Sequence, residues 1–311
     1  MIPVYNCARY LPEVLNGVLA QQLGEQQMQI EVVDDASTDA DIAEIVRRVG
    51  KGRVAYFRQT ENVGSLRNFE TCINRSQGRL IHLLHGDDRV RPGFYQEMEK
   101  LFITYPQAGA AFCRFGYINE VSQIKYIQPS ETDQREILSN WLLKISVRNR
   151  IQYAAVVVKR EVYERLGSFY GVTYGEDWEM WARIAGNYPI AYTPCVLADY
   201  RKHMHSISGT KFTCGGYLKD LLSVMHYIQQ HVPVEQRSKV LEASKKFYSH
   251  YSMRVANELW NISHNDQETV SLIKEIVHLH KDYWLCLKII KLKIKIFVFK
   301  NNLFRINSAI E

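Results

Sequence analysis

The chain has 311 residues, 46% of them hydrophobic and 23% charged, the balance of a soluble globular protein with room for one large domain or two modest ones. Its six cysteines (Cys7, Cys72, Cys113, Cys195, Cys214 and Cys286) include no CxxC pair, which speaks against a disulfide framework or a zinc site and favours a reducing compartment. The formal charge of +6 sits mostly in residues 281–311, where Lys281, Lys288, Lys291, Lys293, Lys295, Lys300 and Arg305 face only Asp282 and Glu311, so the rest is near neutral and no nucleic-acid partner is expected.

No basic-then-apolar leader opens the chain. No run reaches the roughly 18–20 apolar residues of a spanning helix. A cytoplasmic protein is therefore expected, at most peripheral to a membrane, possibilities that include the inner face of the plasma membrane.

Ile2-Pro3-Val4-Tyr5-Asn6 reads as the end of a buried strand entering a loop. With so few residues before Asn6 it is short for a central strand, so either the start lies upstream of Met1 or the strand is truncated. Leu11, Val14, Leu15, Val18 and Leu19 follow at helical spacing. Gln29-Ile30-Glu31-Val32-Val33 is a strand ended by Asp34-Asp35-Ala36-Ser37-Thr38-Asp39, and Ser37 or Thr38 is placed to cap a helix over residues 40–49. Val54-Ala55-Tyr56-Phe57 is a third strand, residues 67–76 a helix, and Leu80-Ile81-His82-Leu83-Leu84 a fourth strand that stops at His85-Gly86-Asp87-Asp88. Ala110-Ala111-Phe112-Cys113 and Ala154-Ala155-Val156-Val157-Val158 are further strands. Gly175-Glu176-Asp177 precedes a helix over 178–185, and the pattern beyond about residue 211 is helical, as over 218–231 and 240–259.

Strands alternating with helices predict an α/β protein with a mostly parallel sheet flanked by helices. Ligands of such sheets bind beyond the carboxyl ends of strands, and both early acidic clusters stand there. Asp34-Asp35 suits either a turn with a helix cap or a carboxylate that accepts hydrogen bonds from a base or ribose. Asp87-Asp88 is harder to read as a turn, because two adjacent carboxylates at a buried strand end repel each other unless a cation compensates. Oxygen donors of this kind suit Mg²⁺ or Mn²⁺. Glu176-Asp177 at a helix start is either a cap or a base kept ionised by the helix dipole. Trp178 and Trp181 share a helical face, one for the core and one for a sugar pocket. Tyr200-Arg201-Lys202-His203-Met204-His205-Ser206 gathers cationic and imidazole groups suited to a pyrophosphate or its metal.

Taken in order, these segments resemble the family 2 glycosyltransferases of the GT-A fold, a Rossmann-like sheet. The matching pieces are Ile2 to Asn6, Val32 to Asp39, Asn62-Val63-Gly64-Ser65 with Arg67-Asn68, Gly78-Arg79-Leu80-Ile81 leading to His85-Gly86-Asp87-Asp88, Pro92, Glu176-Asp177, and Tyr200-Arg201 with His203 and Ser206. The resemblance covers about residues 1–208. It implies that Pro3, Tyr5, Asn6, Asp34, Asp35 and Arg67 bind the nucleotide-sugar, with His203 near the donor phosphates and Asp87 also on the donor side. Asp87 and Asp88 would hold Mn²⁺ or Mg²⁺. Asp177 would be the catalytic base, with Glu176 its neighbour. The family often has an acid two positions before Asp87, where this chain has His85, so the metal role falls to the Asp87-Asp88 pair.

The implied reaction is inverting transfer of a sugar from a nucleotide-diphosphate sugar, foremost a UDP-sugar, to a hydroxyl of a glycan or lipid-linked glycan in cell-surface polysaccharide synthesis. Residues 1–100 would form the nucleotide-sugar half, 101–210 the acceptor-binding and catalytic half of the same GT-A domain, and 211–311 a helical C-terminal extension. A sugar nucleotidyltransferase would need a glycine-rich loop where Val4-Tyr5-Asn6-Cys7-Ala8-Arg9 stands, and a dinucleotide oxidoreductase would need GxGxxG. A glycosyltransferase-like scaffold without activity is the remaining alternative, against which the intact Asp87, Asp88 and Asp177 speak. The lysine-studded segment 286–300 reads either as a surface for anionic lipid with Trp284 as an interfacial anchor, or as a packed helix or strand with its lysines in water.

Overall fold

The structure is a computed structural model that describes residues 1–204, 206–214 and 216–307. The first part of the chain runs β1 (Ile2–Val4), α1 (Leu11–Leu19), β2 (Glu31–Asp34), α2 (Ile42–Gly50), β3 (Ala55–Arg58), α3 (Ser65–Arg75), β4 (Leu80–Ile81), β5 (Arg89–Val90) and α4 (Phe94–Thr104). It continues through β6 (Ala110–Ile118), β7 (Ile124–Ile127), β8 (Glu136–Ile137), α5 (Trp141–Val147), β9 (Val156–Lys159), α6 (Arg160–Leu166), α7 (Glu176–Asn187) and β10 (Ile190–Arg201). Five helices close it: α8 (Ile207–Cys214), α9 (Tyr217–Ile228), α10 (Arg237–Ser263), α11 (Asp266–Leu279) and α12 (Tyr283–Asn307).

β1, β2 and β3 form a parallel sheet in the order β1-β2-β3, and a second sheet has the order β4-β9-β6-β10-β5. Main-chain bonds join them, from the Met1 nitrogen to His82 O (2.9 Å), Leu84 N–H to Met1 O (3.0 Å) and Gly86 N–H to Pro3 O (3.1 Å). The segment after β4 therefore runs beside β1 and delivers residues 85–88 to the carboxyl end of the parallel strands. β6 and β10 are parallel to each other, whereas β9 and β5 run antiparallel to their neighbours, so the whole is a mixed sheet with a parallel N-terminal part.

The period of two along each strand sorts side chains onto opposite faces. Val32, Ala111 and Cys113 join the helix faces of α1, α2 and α4 (Leu15, Val46, Phe94, Phe102), while Val33 and Phe112 join α3, α5, α6 and α7. The C-terminal helices extend that second core through Met225, Tyr248, Trp260, Ile276 and Leu285, as a helical extension should.

Two local expectations are corrected, and two elements join those expected from sequence. Ser37 and Thr38 do not cap α2, because the helix starts only at Ile42: Asp41 caps it, accepting from the Glu44 N–H at 2.9 Å, and Ser37 Oγ instead accepts from the Asn6 N–H at 3.0 Å. Trp178 and Trp181 are both in the core, and neither faces a surface pocket. β10, the longest strand at 12 residues, and α4 were not read from sequence. β10 contains a proline and a register break at Thr193–Ala198 that interrupts its alternation. α4 does show a periodic signal, in Phe94, Met98, Leu101 and Phe102.

Candidate active site

The loop after β2 is held by its own carboxylates. Asp34, at the end of β2 and fully buried, accepts from the Ser37 N–H (2.9 Å), the Tyr56 hydroxyl (2.8 Å) and the Arg58 guanidinium. Asp35 accepts from the N–H groups of Val63 (2.8 Å) and Gly64 (3.0 Å), the residues that lead into α3. Burial raises the Asp35 pKa while those two donors lower it. Gly64 has φ +84°, a conformation glycine adopts without strain. The Asn6 side chain accepts from the Thr38 N–H at 2.8 Å, tying the loop after β1 to the loop after β2. Pro3 is buried within β1, whereas Tyr5 and Arg67 are exposed at the same end of the sheet.

His85, Asp87 and Asp88 form the second station, with one ligand atom from each lying within 4.8 Å of the others. Gly86 makes this turn feasible: a Cβ there would sit 2.6 Å from Cys7 Sγ and 2.9 Å from Val4 Cγ2. The His85 ring packs against Phe69 (centroids 4.9 Å) and Tyr153 (4.3 Å), which also meet each other at 5.4 Å, and its Nε2 is buried without a hydrogen-bond partner. Burial holds the imidazole neutral, with its pKa lowered to about 4, which leaves a lone pair free for a cation. Asp87 Oδ2 meets His203 Nε2 at 2.9 Å, and Asp88 Oδ1 accepts from the Arg201 N–H at 2.8 Å. The second oxygen of each carboxylate has no hydrogen-bond donor among the described residues.

One imidazole nitrogen and two carboxylates, converging at a half-buried turn, fit a divalent cation. Burial, reinforced by the Asp87 charge, pushes Asp88 well above the usual carboxylate range, as expected of acids held together without a counter-charge. His205 lies outside the described residues.

Behind this turn, Arg201 is fully buried at the end of β10. Its guanidinium donates to Asp87 O (2.7 Å), Asn119 O (2.9 Å), Ser122 Oγ (2.9 Å) and Glu13 Oε2 (2.6 Å). It fixes the Asp87 backbone from below without competing for the carboxylates.

Glu176 and Asp177 open α7 after Gly175, whose φ of +87° ends the preceding loop. Asp177 accepts from Asn149 Nδ2 (2.7 Å) and from the Trp178 N–H (2.7 Å). Burial raises its pKa to about 6, with those hydrogen bonds opposing the rise. Glu176, fully enclosed, is raised to about 8, first by burial and then by the Asp177 charge. The two carboxylates titrate as a pair, which near neutral pH carries one negative charge between them.

Tyr153 links the two stations. Its ring stacks on His85 while its hydroxyl donates to Glu176 Oε1 at 3.2 Å. His85 as an orphaned donor, Tyr153 and Asn149 were missed at the sequence level. Only His85 left a sequence signal, its place two residues before Asp87.

Residues 1–167 match the family model described as glycosyl transferase family 2. An uncharacterized protein of Mycobacterium tuberculosis (strain ATCC 25618 / H37Rv) is 30% identical over 214 residues, covering 67% of this chain and 60% of that protein. The chain thus spans about 60% of the length of such relatives. Among solved structures, S. aureus TarS 1-349 in complex with UDP-GlcNAc superposes with a TM-score of 0.66 at 13% identity, over 89% of this chain and 80% of that one. GalNAc-T7 with UDP, GalNAc and Mn²⁺ does so with a TM-score of 0.53 at 15% identity, over 72% and 46%.

Proposed function

The chain belongs to glycosyl transferase family 2, and from that footing we propose that it is an inverting, metal-dependent glycosyltransferase acting from a nucleotide-diphosphate sugar. The observation that carries this reading is the pairing of a cation-ready turn (His85, Asp87, Asp88) with the adjacent carboxylates Glu176 and Asp177 at the start of α7, joined through Tyr153. The solved neighbours hold UDP-GlcNAc or UDP, which makes a UDP-sugar the first donor to test. Tyr5, Pro3 and Arg67 would border the nucleotide, with Asp34, Asp35 and Asn6 acting through the loops they hold. His203 would meet the donor phosphates from its place on Asp87.

Mn²⁺ or Mg²⁺ held by His85, Asp87 and Asp88 would supply positive charge against the departing diphosphate. Asp177, ionised above pH about 6, takes the proton of the acceptor hydroxyl as its oxygen bonds to the anomeric carbon. The bond from that carbon to the diphosphate oxygen breaks in the same step, and the anomeric configuration inverts. Glu176 keeps its proton, so no second negative charge stands beside the base. Asn149 aims the Asp177 carboxylate. The acceptor is a hydroxyl of a glycan or lipid-linked glycan in cell-surface polysaccharide synthesis, met in the cytoplasm at the inner face of the plasma membrane.

A thermal-shift screen of nucleotide-sugars with and without Mn²⁺ tests the reading, since a ligand that binds only the folded state raises the midpoint. Asp88→Ala should abolish the metal-dependent shift, and Asp177→Asn should keep the shift and lose transfer. Full transfer by Asp177→Asn would refute the base assignment.

A further inference from the structure

The sequence left the basic tail with two readings, a lipid-facing surface or a packed helix, and α12 combines them. At 3.6 residues per turn, Leu285, Ile289, Leu292, Ile296 and Phe299 share one stripe, which packs on the second core; Phe299 meets Trp260 at 5.3 Å. The opposite stripe is equally apolar and faces outward. Tyr283, Leu287, Ile290, Ile294, Phe297 and Val298 lie along it, with Ile290 52%, Ile294 57% and Phe297 66% exposed. Trp284, 66% exposed, stands beside its first turn.

A second apolar face of this length is costly in water and needs a cover. The charges choose which. α12 holds Lys288, Lys291, Lys293, Lys295, Lys300 and Arg305 and no acidic residue. Lys288, Lys295 and Lys300 turn back toward the protein, to His250, to Asn257 and Asn261, and to Asp266. Lys291 and Lys293 flank the outer stripe on its two sides and have no hydrogen-bond or ion-pair partner among the described residues. A second copy of this face would bring like charges together. A bilayer carrying anionic headgroups satisfies both the apolar stripe and the unpaired cations, with Tyr283 and Trp284 suited to the interface. No helix among the described residues is long and apolar enough to cross a membrane, so α12 would lie along the surface.

We infer that the outer stripe of α12 docks this protein on an anionic phospholipid surface. The inner stripe stays in the core, so docking needs no detachment of the helix and sets the orientation of the whole molecule on the bilayer. The inference rests on the proposed lipid-linked acceptor only for the purpose of the contact.

The test is co-sedimentation of the full chain with vesicles of equal parts phosphatidylcholine and phosphatidylglycerol, against pure phosphatidylcholine. The wild type should pellet with the anionic vesicles, less so at high salt. Ile290→Ser/Ile294→Ser/Phe297→Ser should remove pelleting without lowering the melting midpoint, because all three side chains are outside the core. Lys291→Gln and Lys293→Gln should each weaken vesicle binding about fivefold, the equivalent of about 1 kcal/mol per basic residue. A wild type that stays in the supernatant, a triple variant that pellets unchanged, or a dimer in gel filtration that the triple variant converts to monomer would each overturn the inference. Vesicle binding needs no nucleotide. A chain that pellets yet shows no nucleotide-sugar shift therefore loses the proposed function and keeps the docking surface.

Discussion

Removing the Asn149 amide tests whether Asp177 works as a base whose readiness is set by its hydrogen bonds. Asn149 Nδ2 donates to Asp177 Oδ2 at 2.7 Å and is the largest influence holding the pKa down against burial. A hydrogen bond to a charged group is worth about 1.5–3 kcal/mol, and one pKa unit corresponds to about 1.36 kcal/mol. Asn149→Ala should therefore raise the Asp177 pKa by about one to two units from its value near 6. At pH 7 the ionised fraction then falls from about nine-tenths to between about one-half and one-tenth. The assay is the pH dependence of nucleoside diphosphate release from the best-binding nucleotide-sugar. The acid limb should move upward by that amount while the rate at alkaline pH recovers toward wild type. The sign is that of a base: activity is lost as pH falls through the folded-state pKa. Asn149 also accepts from the Ile151 N–H at 3.2 Å, so the melting midpoint is measured alongside. An acid limb that stays where it was, in a folded variant, would remove Asp177 from the base role or Asn149 from its control.

His85→Ala should raise the Mn²⁺ concentration needed for a nucleotide-induced thermal shift by at least about tenfold, the loss that even an outer-shell partner produces. His85→Asp should recover much of it by restoring a donor, and an unchanged Mn²⁺ requirement in His85→Ala would show that the two aspartates suffice. Gly86→Ala places a Cβ 2.6 Å from Cys7 Sγ and 2.9 Å from Val4 Cγ2, so it should destabilise the fold by about 1–3 kcal/mol. Urea unfolding measures that, and an unaltered midpoint would mean the turn beside β1 relaxes freely.

Much of the parallel half was legible because its signals are local. β2 is a β-branched run, and Asp34-Asp35 and Asp87-Asp88 stand where such strands end. The second half was less legible. β10 carries Pro194 and a register break that spoil its alternation, and its pairing with β6 connects residues about eighty positions apart. The cap of α2 was misplaced because the loop after β2 runs on to Asp41 before the helix starts, with Ser37 Oγ accepting from the Asn6 N–H thirty-one positions away, and no local pattern announces such a tie. Both tryptophans of α7 are buried by distant segments: Trp178 Nε1 donates to Ile145 O of α5 at 2.6 Å and its ring packs on Tyr248 of α10 at 4.9 Å, while Trp181 packs on Tyr153 at 5.7 Å and Phe169 at 6.0 Å.

From its residues alone the chain determined an α/β architecture, two acidic strand ends, a carboxylate pair at a helix start and a basic, apolar C-terminal segment. Those follow from periodicity and from the chemistry of neighbouring residues. Only the tertiary structure decided that His85 brings a ring nitrogen within 4.8 Å of carboxylate oxygens of Asp87 and Asp88, that Tyr153 ties that turn to Glu176, and that α12 buries one apolar stripe and exposes the other. Burial, stacking and the raised pKa values of Glu176 and Asp177 arise from groups far apart in sequence, and a side chain's surroundings exist only once the chain has folded.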